Sequence, residues 1–303
     1  IDQTVYRICN VPTKNATAID SCILILKDWS NGLTLDSKEI DKERGVIHQE
    51  WQLGSGPVMR MYERVLPKVY PGCKYGERLP IGLMEIVDNF EPDVLRAYYH
   101  KWYRPDNQAI IVVGDVDVDH VEAVIKNLWK DVVVPADAAK VVPEMVPDNA
   151  EPIYVFDKDK EQQFSIVSIM MKHDVVPDAD KENIGYLLDQ YAKEMISMML
   201  NLRFEELSKK ADCPFTGASA GDGQYMLSKT KDNFEMQAYA KDGRDLDVLS
   251  VLYREAQRVR QFGFTPGEYD RVKAEYLSQL EREYNNRDKV NNSKYGNAYR
   301  DNY

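Results

Sequence analysis

Two glutamates, Glu43 and Glu50, stand seven residues apart in the stretch LDSKEIDKERGVIHQEWQ that runs from Leu35 to Gln52. On a helix that spacing is about two turns, so both side chains point the same way. Ile40, Val46 and Ile47 are expected on that face as well. Carboxylates set in an apolar stripe call for a partner, which is a cation, a basic side chain or water at an exposed margin. The other residue types suited to chemistry are more scattered. The histidines are His48, His100, His120 and His173, and no two share a helix at i, i+4. His48 lies two residues from Glu50, hence on another helix face, and reads as an exposed bystander. His100, beside Trp102, reads as a packing residue, His120 as a surface residue, and His173 as a strand end with no visible partner. Cys9, Cys22, Cys73 and Cys213 have no CxxC spacing, which excludes a structural zinc knuckle and leaves unpaired apolar fillers. Gly114-Asp115 is not followed by a glycine-rich phosphate loop and reads as a strand-ending turn.

The elements that must position these residues follow from periodicity and punctuation. Gln3 to Val11 is expected to be a strand closed by Pro12. Helices are expected over Thr17–Trp29, Asp36–Gln52 (with Asp36 or Ser37 as N-cap), Met59–Tyr70, from Glu91-Pro92 through Trp102, and over Asp119–Trp129. Asn107 to Gly114 suits a buried strand, and Cys73 to Gly82 a loop. The segment from Val133 to Pro152 carries several prolines and little periodicity, and the domain boundary is placed there. Beyond it, strands are expected at Ile153–Phe156, Gln163–Lys172, Phe215–Leu227 and Asn233–Lys241. Helices follow at Asp180–Lys210, with a break near Asn201, at Leu246–Phe262 and at Pro266–Asn285. Met195, Met198 and Met199 are assigned to helix core, and the polar tail after Asn285 is expected to be loosely held.

With 303 residues, 44% of them apolar, the chain has material for about two domains with their own cores. A net charge of −11 argues against nucleic acid as a general partner. No run of about 18 apolar residues exists to span a membrane. The chain opens at Ile1, without methionine, in a strand-like run, and is expected to be part of something longer.

An internal repeat sharpens the view of the two glutamates. Ser37-Lys-Glu-Ile-Asp-Lys aligns with Pro266-Gly-Glu-Tyr-Asp-Arg without gaps at an offset of 229 residues. In that register Glu43 meets Val272 and Glu50 meets Gln279. A carboxylate pair demanded by the fold would recur in both copies, so its absence from the second gives the first a separate task.

ERGVIHQE (Glu43 to Glu50), YGERLPIG (Tyr75 to Gly82) and YYHKWYRPDNQAIIVVGDVD (Tyr98 to Asp117) together resemble the pitrilysin or insulinase-type zinc peptidases, above all the large bacterial members. The resemblance covers most of residues 1–135 by motif and 150–303 by pattern and order. In that family an inverted HxxEH helix supplies two zinc-binding histidines and a glutamate base, and a later helix supplies a glutamate ligand preceded seven residues earlier by another acidic residue. The resemblance thus implies Glu50 as metal ligand and Glu43 as supporting carboxylate, orienting a ligating histidine. Read from the residues alone, Glu43 pairs equally well with Lys42 or Arg44, and Glu50 with a core cation or solvent. No HxxEH occurs in these residues. The resemblance places that helix before Ile1 and implies that both ends are truncated.

The expected fold is α+β, in two related units, each a mainly antiparallel sheet with helices on one face. Residues 1–135 are read as the C-terminal portion of a first peptidase-like domain. Residues 150–303 are read as a second, degenerate one. The resemblance implies a fragment of a zinc metalloendopeptidase, inactive alone, with Zn2+ bound only in the intact protein. Peptide or unfolded polypeptide and the remaining domains are its implied partners, and a bacterial periplasm or cell envelope its implied compartment. The alternatives are a non-catalytic chamber-closing subunit and a module that binds peptides by strand addition at a sheet edge.

Overall fold

The computed structural model describes residues 2–302. Ten α-helices are formed among them: α1 (Ala16–Asn31), α2 (Ser37–Gly54), α3 (Pro57–Val69), α4 (Met84–Asn89), α5 (Pro92–Trp102), α6 (Val118–Trp129), α7 (Ile184–Ser208), α8 (Asp245–Phe262), α9 (Pro266–Asn286) and α10 (Asn292–Asp301). Their starts are written in the sequence. Asn15, Asp117, Asn183 and Asn291 each accept a hydrogen bond from a first-turn backbone N–H, which satisfies one of the amides a helix leaves open. Pro57 and Pro92 occupy the first helical positions, where a missing N–H costs nothing.

Three strands, β1 (Ser165–His173), β2 (Phe215–Gln224) and β3 (Asp232–Ala240), make an antiparallel sheet in the order β1-β3-β2. β1 pairs with β3 from Ser165↔Ala240 to His173↔Asp232, and β2 pairs with β3 up to Gln224↔Asp232, with a bulge between Phe215 and Gly217. One face of the sheet, through Met236, Ala238 and Ala240, packs on Leu200 and Phe204 of α7 and on Val248 and Leu252 of α8. Each fully buried large side chain there contributes roughly 1.5–3 kcal/mol. The architecture is α+β, with helices laid on one face of a small antiparallel sheet.

The chain forms two compact units that do not follow its order. One holds Asp2, Ser55–Leu79 and Pro143–Asn285, with the sheet. The other holds Gln3–Gly54, Pro80–Val142 and 286–302. In the first unit, Ser55–Leu79 is bound to distant chain by tyrosine hydroxyls. The Tyr70 phenol donates to Tyr225 O at 2.5 Å and accepts from Leu227 N at 2.9 Å, while Tyr75 Oη accepts from Lys229 N at 3.2 Å. Arg60 adds a forked ion pair to Asp159 at 2.7 and 2.9 Å. In the second unit Tyr99 of α5 donates to Trp29 O at 2.9 Å, and Ile23, Ile40, Tyr99 and Val121 are buried.

Several expectations are corrected. Gln3–Val11, Asn107–Gly114 and Ile153–Phe156 belong to no sheet among the described residues, so the sheet expected in each unit is found in one only. An extended, apolar run becomes a strand only when a neighbour takes up its backbone groups. α7 runs without a break at Asn201, whose side chain is turned onto β2 instead of its own backbone. Part of the polar tail is helical, because its asparagines cap α10 rather than loosen it. The loop after Cys73 is followed by α4, too short to show a periodicity.

Candidate functional site

α2 begins where Asp36 Oδ1 accepts from Lys38 N at 2.9 Å and Glu39 N at 3.4 Å. Its repeat counterpart, Thr265, accepts from Glu268 N at the start of α9, and the Glu268 carboxylate returns to Thr265 N at 2.7 Å. Residues 229 apart therefore cap both helices, and the register taken from the sequence applies to them.

Along α2, residues three and four apart share a side. Ile40 is buried and Arg44, Ile47 and His48 are half-buried, so they define the packed side. Glu43, Val46, Glu50 and Leu53 form a second stripe, and all four are exposed, Val46 to 51% and Leu53 to 90%. Glu43 and Glu50 are thus brought together on one face. The apolar stripe expected around them divides, with Ile40 turned inward and Val46 outward. The basic neighbours are engaged elsewhere: Lys42 pairs with Glu39 at 2.6 Å and Arg44 with Asp41 at 3.0 Å. That removes the local ion-pair reading of Glu43, and exposure removes the core ion-pair reading of Glu50 while agreeing with its place at a solvent margin.

The histidines are corrected in turn. His48 is no bystander: its Nε2 lies 2.7 Å from Asp88 Oδ1 and ties α2 to α4. His120 is exposed as expected, and it bonds Asp20 of α1 at 2.8 Å. His173 has a partner, Asp222 of β2 at 2.8 Å, which its sequence surroundings could not reveal. His100 is exposed, its ring edge-on to Tyr99, rather than packed in a core. Cys73 and Cys213 are buried as fillers, Cys22 partly so, but Cys9 is exposed.

No three His, Cys, Asp or Glu side chains among the described residues are close enough to hold a metal ion. Glu43 and Glu50, exposed and with no basic partner among the described residues, can supply a zinc ion with at most one ligand and one supporting carboxylate, fewer than the three protein ligands such an ion needs. A polar cleft of 580 Å3 lies beside α2, lined by Asp41, Arg44, Asp88, Asp93 and Arg96 among others. Both of its arginines are already spent on protein oxygens.

In the sheet-bearing unit the position of Glu43 is taken by Val272, 2% exposed and packed with Met195 and Met199 of α7. Beside it Arg203, also buried, grips Glu268 at 2.5 and 3.0 Å and holds that carboxyl down to about 2. The corresponding place on α9 thus holds an apolar cluster and a buried ion pair.

The model of the peptidase M16 inactive domain matches residues 89–276. The chain belongs to the peptidase M16 family. The matched span contains Val272 and leaves α2 outside it. Among curated relatives, the probable zinc protease PqqL of Escherichia coli (strain K12) is 29% identical over 283 residues, covering 92% of this chain and 29% of that protein. The zinc protease PQQL-like protein of Arabidopsis thaliana is 26% identical over 299 residues, 98% of this chain and 28% of its own. The crystal structure of the periplasmic protease PqqL from Escherichia coli superposes with a TM-score of 0.79 at 25% identity, over 94% of this chain and 31% of that one. The chain thus spans less than a third of the length of these relatives.

Proposed function

We propose that this M16 chain is part of a zinc metalloendopeptidase of peptides, to which it contributes Glu50 as a metal ligand and Glu43 as the carboxylate behind a ligating histidine. Residues 1–135 are the C-terminal portion of the first peptidase-like domain, and residues 150–303 are the second, degenerate one. Zinc, when bound in such a site, polarises the scissile carbonyl and lowers the pKa of water. The part of this chain is to hold an anionic oxygen at a fixed place on α2 and to orient its neighbour. The general base comes from elsewhere in the intact protein, and this chain alone is inactive.

One observation carries the reading. Val272 is buried against Met195 and Met199, an i, i+4 pair, whereas its counterpart Glu43 is exposed, and Glu50 is exposed like its own counterpart Gln279. A helix placed over α2 as α7 lies against α9 would set an i, i+4 pair opposite Glu43. That is the spacing of the two histidines in HxxEH. Occurrence of PqqL as a periplasmic protease in Escherichia coli supports a periplasmic or envelope location here.

A second reading, a non-catalytic chamber-closing subunit, draws on the match of residues 89–276 to an inactive domain. Zinc content and peptide cleavage of the intact protein, wild type against Glu50→Gln, separate the two. The peptidase reading expects zinc in the wild type and loss of both zinc and cleavage in the variant. Equal zinc occupancy in both proteins sinks the ligand assignment.

A further inference from the structure

Arg44 occupies the packed side of α2, one residue from Glu43 and six from Glu50, and spends its whole guanidinium on protein oxygens. Nε donates to Asp41 at 3.0 Å, Nη1 to Val87 O, and Nη2 to Phe90 O at 2.7 Å. The group also stacks on the Phe90 ring, 4.2 Å from its centroid. Val87 O and Phe90 O lie at the C-terminal end of α4, where helix carbonyls lack intrahelical donors and a cation is favoured. Arg44 therefore caps α4 from the side of α2. One turn later His48 reaches Asp88 at 2.7 Å, so two ties in line hold α2 against α4. At the entry to α2, Leu35 has φ +47, a left-handed conformation unfavourable for a residue with a side chain. Arg96 holds the Leu35 carbonyl with Nε at 3.0 Å and Nη2 at 2.8 Å, and Ser37 Oγ at 2.7 Å.

These contacts fix the rotation of α2 about its axis. The stripe of Glu43 and Glu50 lies roughly a third of a turn from the side that Arg44 and His48 pin down, at about 100° per residue. The geometry points to Arg44 as a positioning residue: by keying α2 to the carbonyl end of α4, it sets the direction in which Glu50 presents its carboxylate. This inference rests on the assignment of Glu50 as a ligand. A lysine keeps the charge and the apolar stem but cannot serve three oxygens in a planar fork.

The test uses the intact protein, with amide exchange of the metal-free form and zinc affinity measured against a chromophoric chelator. Arg44→Lys is expected to speed exchange at least about tenfold in His48–Gly54 and in Met84–Phe90, with other segments unchanged. Zinc affinity is expected to fall about 10–100-fold, the loss usual when a ligand's support is removed. Lys42→Gln, on an exposed neighbour, is expected to change neither. If Arg44→Lys does not fold, His48→Ala cuts only the second tie and is read the same way. Unchanged exchange in both segments overturns the brace. Faster exchange with zinc affinity within twofold of wild type overturns the positioning of Glu50. Undiminished zinc affinity in Glu50→Gln overturns the ligand assignment itself, a result distinct from either.

Discussion

The side-chain amide of Asn201 on α7 makes both hydrogen bonds that a strand would make to Ala220 of β2. Nδ2 donates to Ala220 O at 3.0 Å, and Oδ1 accepts from Ala220 N at 2.6 Å. Among the described residues β2 is an edge strand paired with β3 alone, so these groups would otherwise stand open to another chain. Asn201→Leu is expected to cost about 2 kcal/mol through two unsatisfied backbone groups and to promote self-association. Urea unfolding and light scattering at rising concentration check both effects, and wild-type behaviour in both would refute the role.

The repeat makes a paired prediction. Val272→Glu places a charge among Met195 and Met199 and is expected to destabilise the chain by at least about 3 kcal/mol. Glu43→Val, at the equivalent exposed position, is expected to stay within roughly 0.5 kcal/mol of wild type. Equal effects in equilibrium unfolding would mean that the two positions are not distinguished by burial.

Glu268 gives a pH dependence of known sign. The Arg203 guanidinium lowers its carboxyl from 4.5 to about 2, so the native state holds the charged form. The stabilisation is complete above 4.5 and lost as pH falls from there toward 2, amounting to no more than roughly 3 kcal/mol. Glu268→Gln is expected to be less stable than wild type at pH 6 and to close much of that gap by pH 3. Parallel stability curves for the two proteins would contradict it.

Glu235 behaves in the opposite sense. Burial on β3 pushes its carboxyl above the usual 4.5, with only a hydrogen bond from Ser168 pulling it back. A raised acid stabilises below its unfolded value, and that contribution is lost as pH rises through the folded one. Glu235→Gln is expected to raise the unfolding midpoint at pH 8 and to match wild type below about pH 4. A midpoint lowered at pH 8 would show that the ionised carboxylate has a partner.

Helices were legible in this sequence because period, cap and proline agree locally. Pro266 marks the start of α9 without reference to anything distant, whereas α7, expected from Asp180, begins at Ile184 behind Asn183. The pairing of Glu43 with Glu50 on one face was legible for the same reason. Exposure was not, since nothing in the spacing says whether a neighbour covers Val46. Strand identity failed where it depends on a partner: NQAIIVVG has the composition of a core strand and belongs to no sheet among the described residues. Asn201 misled because a mid-helix asparagine commonly bonds its own backbone, whereas here its partner lies on another element. Arg44 was hidden for a similar reason. Its carbonyl partners are 43 and 46 residues away, and only its i+4 spacing from buried Ile40 hinted that it faces inward.

The hydroxyl of Tyr70 meets a carbonyl 155 residues farther along the chain. During synthesis at about 5–20 residues per second, roughly 10–30 s separate the emergence of the two groups. During that interval Leu66, Val69 and Tyr70 can close on Cys73, Tyr75 and Val146 but lack Tyr225, Met226 and Leu227, which complete their cluster. Loop closure of this length also slows the search that follows. The order of translation therefore leaves the apolar side of Ser55–Leu79 incompletely covered until β2 and the turn after it have been made.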